Sequence, residues 1–283
     1  MNLSATERAA RPIASGQGGL ELAFVAGKST LTSWWATNPL KLLVPRAHGS
    51  SVWAYSSSFG GGLLAGDEIQ LTLSLAAHTR CFLSTQASTK VYRNPRRRPC
   101  GHRLTASLGE DSLLVLAPDP VQMFAGSSYE QRQDFHLEKR AGLVLVDWCS
   151  AGRVARGERW AFTRFHSRNE ILLGRERVFL DSLLLDPVQG PLDSLHRMGR
   201  FNCLALAVLI GEPVRAGAAR ILEDIARRPI DRRWSLICSA SPLADGALLR
   251  IAGEQTETVG REIHGHLSFL RDLLGDDPWA RKW

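Results

Sequence analysis

Lysine, tyrosine and methionine are scarce in this 283-residue chain, and the residue arrangements that mark common enzyme chemistries are missing. Its five cysteines, Cys81, Cys100, Cys149, Cys203 and Cys238, are dispersed and never form C-x-x-C. That argues against a zinc site or a disulfide framework and predicts reduced, mostly buried thiols. There is no G-x-S-x-G elbow and no S-x-x-K pair, so serine hydrolase chemistry lacks a candidate nucleophile. His48, His78, His102, His136, His166 and His196 are scattered without the H-E-x-x-H spacing. His264 and His266 lie two apart, which on a helix puts them on different faces, and solvated histidines are expected there. The longest apolar run, Phe201 to Ile210, is about half of the roughly 20 residues that cross a bilayer. Met1 to Gly19 is polar and lacks the apolar core of a secretory signal. A cytoplasmic protein with no membrane contact is the resulting expectation.

Only five of the 35 basic residues are lysines, which leaves 30 arginines, and they are spread along the chain without forming a tail. A net charge of +7 permits attraction to nucleic acid, an acidic membrane or an acidic protein, and does not choose among them. With 44% hydrophobic and 22% charged residues, the chain has the composition of a globular protein that buries a sizeable core.

Strand signals dominate from about residue 20 to 190. Ile69, Leu71, Leu73 and Leu75 alternate with polar residues, and similar signals recur at Phe135 to Leu137, Leu143 to Val146 and Val178 to Leu185. The character changes after Pro191. Leu192 to Ile210 lacks strand punctuation, and Ile221, Leu222 and Ile225 fall at helical spacing within 218–228, so one or two helices are expected across this stretch. Val259, Ile263, Leu267, Leu270 and Leu274 form one stripe, which predicts a last helix ending near Gly275 and Pro278. Strands around Trp234 to Ser239 and Ala247 to Ile251 would lie between the helices. The expected organisation is a flexible segment over 1–19 and a single domain over 20–283. That domain has a β-rich body over about 20–190 and a mixed part over about 191–283.

Two glycine-rich segments suggest nucleotide loops and fail on context. Gly27-Lys28-Ser29-Thr30 lacks the first glycine of a phosphate loop, because position 22 is Leu22, and it sits in strand-like sequence; an ordinary turn is predicted. Phe59 to Asp67 precedes a strand, whereas a dinucleotide loop must open a helix, so a tight glycine turn is the better reading.

Four strings in order carry the most specific signal. They are Gly61-Gly62-Leu63-Leu64-Ala65-Gly66-Asp67, Thr85-Gln86-Ala87-Ser88-Thr89-Lys90-Val91-Tyr92-Arg93, Pro118-Asp119-Pro120-Val121-Gln122-Met123-Phe124-Ala125-Gly126-Ser127, and Gly152-Arg153-Val154-Ala155-Arg156-Gly157-Glu158-Arg159-Trp160. In order and spacing they resemble the UreD (UreH) family of urease accessory proteins, over about residues 20 to 190. The resemblance implies a mainly β fold, an irregular β-helix-like wrapping of many strands with a few helices in the C-terminal third. It also implies no catalysis of the chain's own. Instead it implies a urease maturation factor that binds UreF and, through it, the GTPase UreG, on the structural subunits of apo-urease, where GTP hydrolysis accompanies nickel insertion.

The family's internal nickel tunnel makes acidic positions of interest. Asp67, Asp147, Glu158 and Asp181 are therefore candidates for a weak, transient nickel path, with no tightly bound cofactor, because a tight cage would retain its ion. Each has a structural alternative. Asp67 could accept backbone N–H bonds in the glycine turn, and Glu158 could pair with Arg153 or Arg156. Thr85, Gln86, Thr89 and Lys90 could line a polar interior or hydrogen-bond across strands. The Val259 to Leu274 stripe could dock a partner or pack on its own core. Two other functions stay open. One is a nucleic-acid-binding β protein using the Arg96 to Arg98 loop, although nucleic acid is not the expected partner. The other is a β-helix hydrolase with Asp67, Asp119 or Asp147 as paired acids.

Overall fold

Alternation of apolar and polar residues builds most of this chain into half-buried strands. A computed structural model describes residues 15–46, 49–95 and 98–280. The strands within residues 17–185 are β1 (Gln17–Val25), β2 (Lys28–Ala36), β3 (Leu40–Leu43), β4 (Val52–Ser58), β5 (Glu68–Leu75), β6 (Arg80–Thr85), β7 (Thr89–Val91), β8 (Cys100–Leu108), β9 (Leu113–Leu116), β10 (Val121–Met123), β11 (Ser128–Leu137), β12 (Gly142–Ser150), β13 (Arg164–Leu173) and β14 (Glu176–Leu185). Then come β15 (Cys203–Ile210), α1 (Arg215–Arg227), β16 (Leu236–Leu243), β17 (Gly246–Gly253), α2 (Thr256–His266) and α3 (Leu270–Leu274).

From β4 to β13 the chain passes repeatedly between two sheets, as a β-helix does. β5, β8, β11 and β13 pair in parallel in one sheet, and β4, β6, β9 and β12 in the other. Antiparallel strands finish both stacks. The first sheet is bordered by β2 and β14, and the second extends through β15, β17 and β16. The fold is mainly β, with β-solenoid-like coils, as the family resemblance implied. β1 opens at Gln17, within the 1–19 stretch, and residues 1–14 lie outside the described residues.

Period two distributes the side chains into layers. On β5, Ile69, Leu71, Leu73 and Leu75 are buried between the sheets while Glu68, Thr72 and Ser74 face out. β12 is buried on both faces. Leu143 and Leu145 join the core between the sheets, whereas Val144, Val146 and Trp148 join a second core beneath the helices. The turn at Gly27 joins β1 to β2 with φ near +79°, a left-handed conformation open to glycine, so that segment is the ordinary turn its context predicted. The glycine run before β5 is likewise a turn leading into a strand.

Three expectations for the C-terminal third change. Of Leu192 to Ile210, the last eight residues are β15, a central strand buried on both faces, because a short continuous apolar run looks alike in a buried strand and a buried helix. The final stripe is not one helix: α2 ends at His266, and α3 restarts at Leu270. That stripe is also not a free docking face. Val259, Ile263, Leu267, Leu270 and Leu274 are all at most 2% exposed and pack on the second sheet. α1 and the hairpin of β16 and β17 follow their expected positions. The cysteines are free thiols, four buried and Cys238 half-buried.

His266 departs from the solvated default. Its side chain is 5% exposed, and its Nε2 lies 2.9 Å from Glu262, which also pairs with Arg228 at the end of α1. The bond to His266, with the guanidinium of Arg228, holds the Glu262 carboxyl down to about 2. A depressed carboxyl contributes stability fully above its unfolded value of 4.5, and that contribution is lost as pH falls toward 2. We expect urea unfolding to show a drop on the order of 2 kcal/mol between pH 5 and about pH 2 attributable to this group. Glu262→Gln should remove that part of the slope.

Candidate functional site

The core between the two sheets is not apolar throughout. On β11 the inward register reads Tyr129, Gln131, Gln133, Phe135, and on β13 it reads Phe165, Ser167, Asn169, Ile171. Parallel pairing sets these residues side by side, with Gln131 beside Ser167 and Gln133 beside Asn169. From the opposite sheet, Asp147 enters at the inward position where Leu143 and Leu145 precede it on β12.

Asp147 collects three donors. Its Oδ2 accepts from Ser167 Oγ at 2.5 Å and Asn169 Nδ2 at 2.8 Å, and its Oδ1 accepts from Gln131 Nε2 at 3.1 Å. Around that centre, Tyr129 donates to Gln131 at 3.0 Å, and Gln133 donates to Asn169 at 3.1 Å. Donors aimed at both oxygens suit a carboxylate, which only accepts. Burial pushes the Tyr129 phenol well above its ordinary value, so its proton stays on and it acts as a donor.

Three cavities adjoin along this polar seam. A pocket of about 90 Å³ is bordered by Ser56, Thr85, Thr89, His102 and Tyr129. Those five residues also border a constriction of about 30 Å³, whose far side carries Asp119, Gln131, Gln133 and Asp147. Asp147 and Trp148 are then shared with a cavity of about 270 Å³ that includes Asp181 and Arg250. Burial raises the Asp181 carboxyl above its ordinary value; Arg250 opposes that shift and Asp147 adds to it. A constriction of about 30 Å³ holds roughly one water. It gives no room for a sugar between Asp119 and Asp147.

The four acidic candidates divide in two. Asp147 and Asp181 share the large cavity. Asp67 instead accepts from the Leu64 amide at 2.8 Å in the glycine turn and borders another polar groove of about 250 Å³ with Glu68, Arg103 and Glu130, which meets the seam only at His102. Glu158 is clamped by Arg153 and accepts from the Ala125 amide at 3.1 Å; the Arg153 bond, with that amide, lowers its carboxyl.

The motif strings meet at a corner beside the seam, and the first three also lend residues to its walls. Leu63 N donates to the Lys90 carbonyl at 2.8 Å, and Tyr92 N returns to Leu63 O at 3.0 Å. A side chain at Gly62 would meet the Lys90 carbonyl and the Tyr92 ring at 2.6 Å each. The Tyr92 ring meets Phe124 edge-on at 5.3 Å, and the Arg153 guanidinium lies 4.1 Å over the other ring. Gly152 has φ near +105°, and a Cβ there would lie 2.3 Å from the Met123 carbonyl. Arg93 packs against Gly126, and Gly157 turns left-handed behind Arg156. Gly61 and Gly66 also take positive φ. Of the second string, Thr85 and Thr89 reach the seam, whereas Gln86 and Lys90 are exposed. Arg96 and Arg97 of the basic loop lie outside the described residues.

Gln131, Gln133, Ser167, Asn169, His102 and Arg250 were not singled out from sequence. A signal existed for the first four: polar residues at inward positions between apolar ones on the same register.

Residues 15–283 match the family described as UreD urease accessory protein. The chain belongs to the UreD family. It is 47% identical to the urease accessory protein UreD of Sorangium cellulosum over 95% of this chain and 85% of that one. Similarity extends to UreD of Anaeromyxobacter sp. (39% identical; 94% and 89% covered) and to urease accessory protein D of Oryza sativa subsp. indica (32% identical; 96% and 98% covered). The match extends past Pro191, where the resemblance had no motif to offer. UreD membership supports a role in urease maturation. Among the described residues no helix is long and apolar enough to cross a membrane, and no group of three or more His, Cys, Asp or Glu could hold a metal ion.

Proposed function

We propose that this UreD protein is a non-catalytic, cytoplasmic maturation factor that joins UreF and, through it, the GTPase UreG on apo-urease. In this reading GTP-dependent nickel insertion draws on the polar seam between its two sheets, which carries the ion in transit. The observation that carries the reading is the seam itself: three adjoining cavities, with Asp147 where the constriction meets the largest of the three and Asp181 beyond it. Hydroxyl, carboxamide and carboxylate oxygens hold a divalent ion without a rigid cage, and a site that must release its ion needs that weakness.

The electrostatics agree with transit. Asp147 is a half-buried carboxylate between the sheets, where part of its surroundings is protein in place of screening water. Nickel is the cargo here, and no resident metal is required. The test is the nickel content and activity of urease purified from cells that co-express the structural subunits and the other accessory proteins, with and without this chain. Equal amounts of urease lacking nickel only when the chain is absent are expected. Unchanged loading would remove the maturation role.

A further inference from the structure

β8 carries one residue that hydrogen bonding does not explain. His102, half-buried between the buried Cys100 and Leu104 on the same strand face, borders the pocket of about 90 Å³, the constriction of about 30 Å³ and the polar groove beside Asp67. Its Nε2 is fully buried and has no hydrogen-bond partner among the described residues. Buried polar atoms are nearly always paired, so an unpaired one calls for an explanation. Hydroxyls, carboxamides and carboxylates line the constriction with it, among them Thr85, Asp119, Tyr129, Gln131 and Asp147. No other imidazole borders these two cavities or the larger one beyond.

We propose that His102 is a nitrogen ligand in the narrow part of the seam, and that it lets the path discriminate a nickel-like transition-metal ion from magnesium. The inference rests on reading the seam as a cation path, and it assigns the selectivity of that path to one residue. Oxygen ligands suit magnesium, calcium and manganese, whereas imidazole suits nickel, copper and zinc. A seam of oxygen donors alone would admit magnesium readily. One neutral imidazole at the constriction shifts the preference without closing a cage around the ion.

The state of the ring agrees with this role. Burial lowers His102 to about 4, so near neutral pH the imidazole is uncharged. With its proton on Nδ1, Nε2 is the ring's free ligand atom, and it has no partner among the described residues. A ligand that never competes with a proton near pH 7 binds and releases its metal without proton traffic.

The test uses the purified full chain and Ni²⁺ or Mg²⁺ alone. His102→Leu keeps the volume and removes a polar atom that has no partner, so thermal melting should show no loss of stability. Calorimetric titration and nickel X-ray absorption are then compared for the wild type, His102→Leu and Asp147→Asn. We expect His102→Leu to weaken Ni²⁺ at least tenfold with Mg²⁺ unchanged and to lose one imidazole from the nickel spectrum, whereas Asp147→Asn weakens both ions. If His102→Leu leaves Ni²⁺ affinity and spectrum unchanged while Asp147→Asn weakens both ions, the His102 assignment fails and the path stands. If neither variant changes binding of either ion, the path reading fails and takes the assignment with it. Should His102→Leu not fold, His102→Gln serves for the same comparison.

Discussion

Asp147→Asn is expected to leave the protein folded and to lower nickel loading of co-expressed urease at least tenfold. The carboxylate accepts from Gln131, Ser167 and Asn169, and an asparagine of the same shape keeps one acceptor oxygen. Its new amide group would face donors, which costs about 1–3 kcal/mol unless Ser167 or Asn169 reorients. That is tolerable within a stability of about 5–15 kcal/mol. The lost charge matters more to an ion in transit. At about 4 Å and an effective dielectric of about 20, each unit-charge pair is worth roughly 4 kcal/mol. A divalent ion makes two such pairs, roughly 8 kcal/mol, and if only a third of that survives desolvation the change of about 2.7 kcal/mol still exceeds tenfold. Nickel content per urease active site is the readout, with circular dichroism as the folding control. Normal loading by a folded Asp147→Asn protein would detach Asp147 from the path and leave it a structural anchor.

Ending the chain at Ala252 should produce insoluble protein, and not a soluble protein that merely fails to bind a partner. The truncation removes α2 and α3, whose Val259, Ile263, Leu267, Leu270 and Leu274 cover the second sheet. At about 1.5–3 kcal/mol per buried apolar side chain, five such residues contribute roughly 10 kcal/mol, as much as the net stability of a domain. The exposed face of β12, β15 and β17, with Val144, Val146, Ala207, Leu209 and Leu249, would then be a contiguous apolar patch prone to aggregation. Leu267→Asp tests the same point with one residue, since it places an unpaired charge where exposure is now zero. Sedimentation of the expressed protein decides between the outcomes. Soluble, partner-blind protein would return the stripe to the role of a docking surface.

The seam and the family strings overlap only in part: Thr85, Thr89 and Asp119 line the seam, but most of the string chemistry lies at a neighbouring corner. Gly62, Tyr92, Phe124, Gly152, Arg153 and Glu158 lock together where four segments meet, and their chemistry is that of close backbone approach, ring packing and a guanidinium clamp. Gly152 shows why such a string is so recognisable: positive φ and a carbonyl 2.3 Å from any Cβ admit only glycine. The seam residues, by contrast, are single polar side chains on otherwise apolar registers. Apart from Thr85, Thr89 and Asp119, they fall outside the contiguous strings.

The sequence by itself determined the local elements and the family. Period-two alternation is a property of neighbouring residues, so β5, the strand after the glycine run, was legible at Ile69 to Leu75. Four ordered strings likewise sufficed to indicate UreD, and the match over residues 15–283 agrees. Only the tertiary structure decided which of Asp67, Asp147, Glu158 and Asp181 share a cavity, because that depends on which strands the coils bring face to face. It also decided that Cys203 to Ile210 is a strand and that the last apolar stripe is core. Both judgements turn on what lies above and below a segment, and a burial partner hundreds of residues away in the chain, as Leu274 is for Ser51, leaves no trace in local spacing.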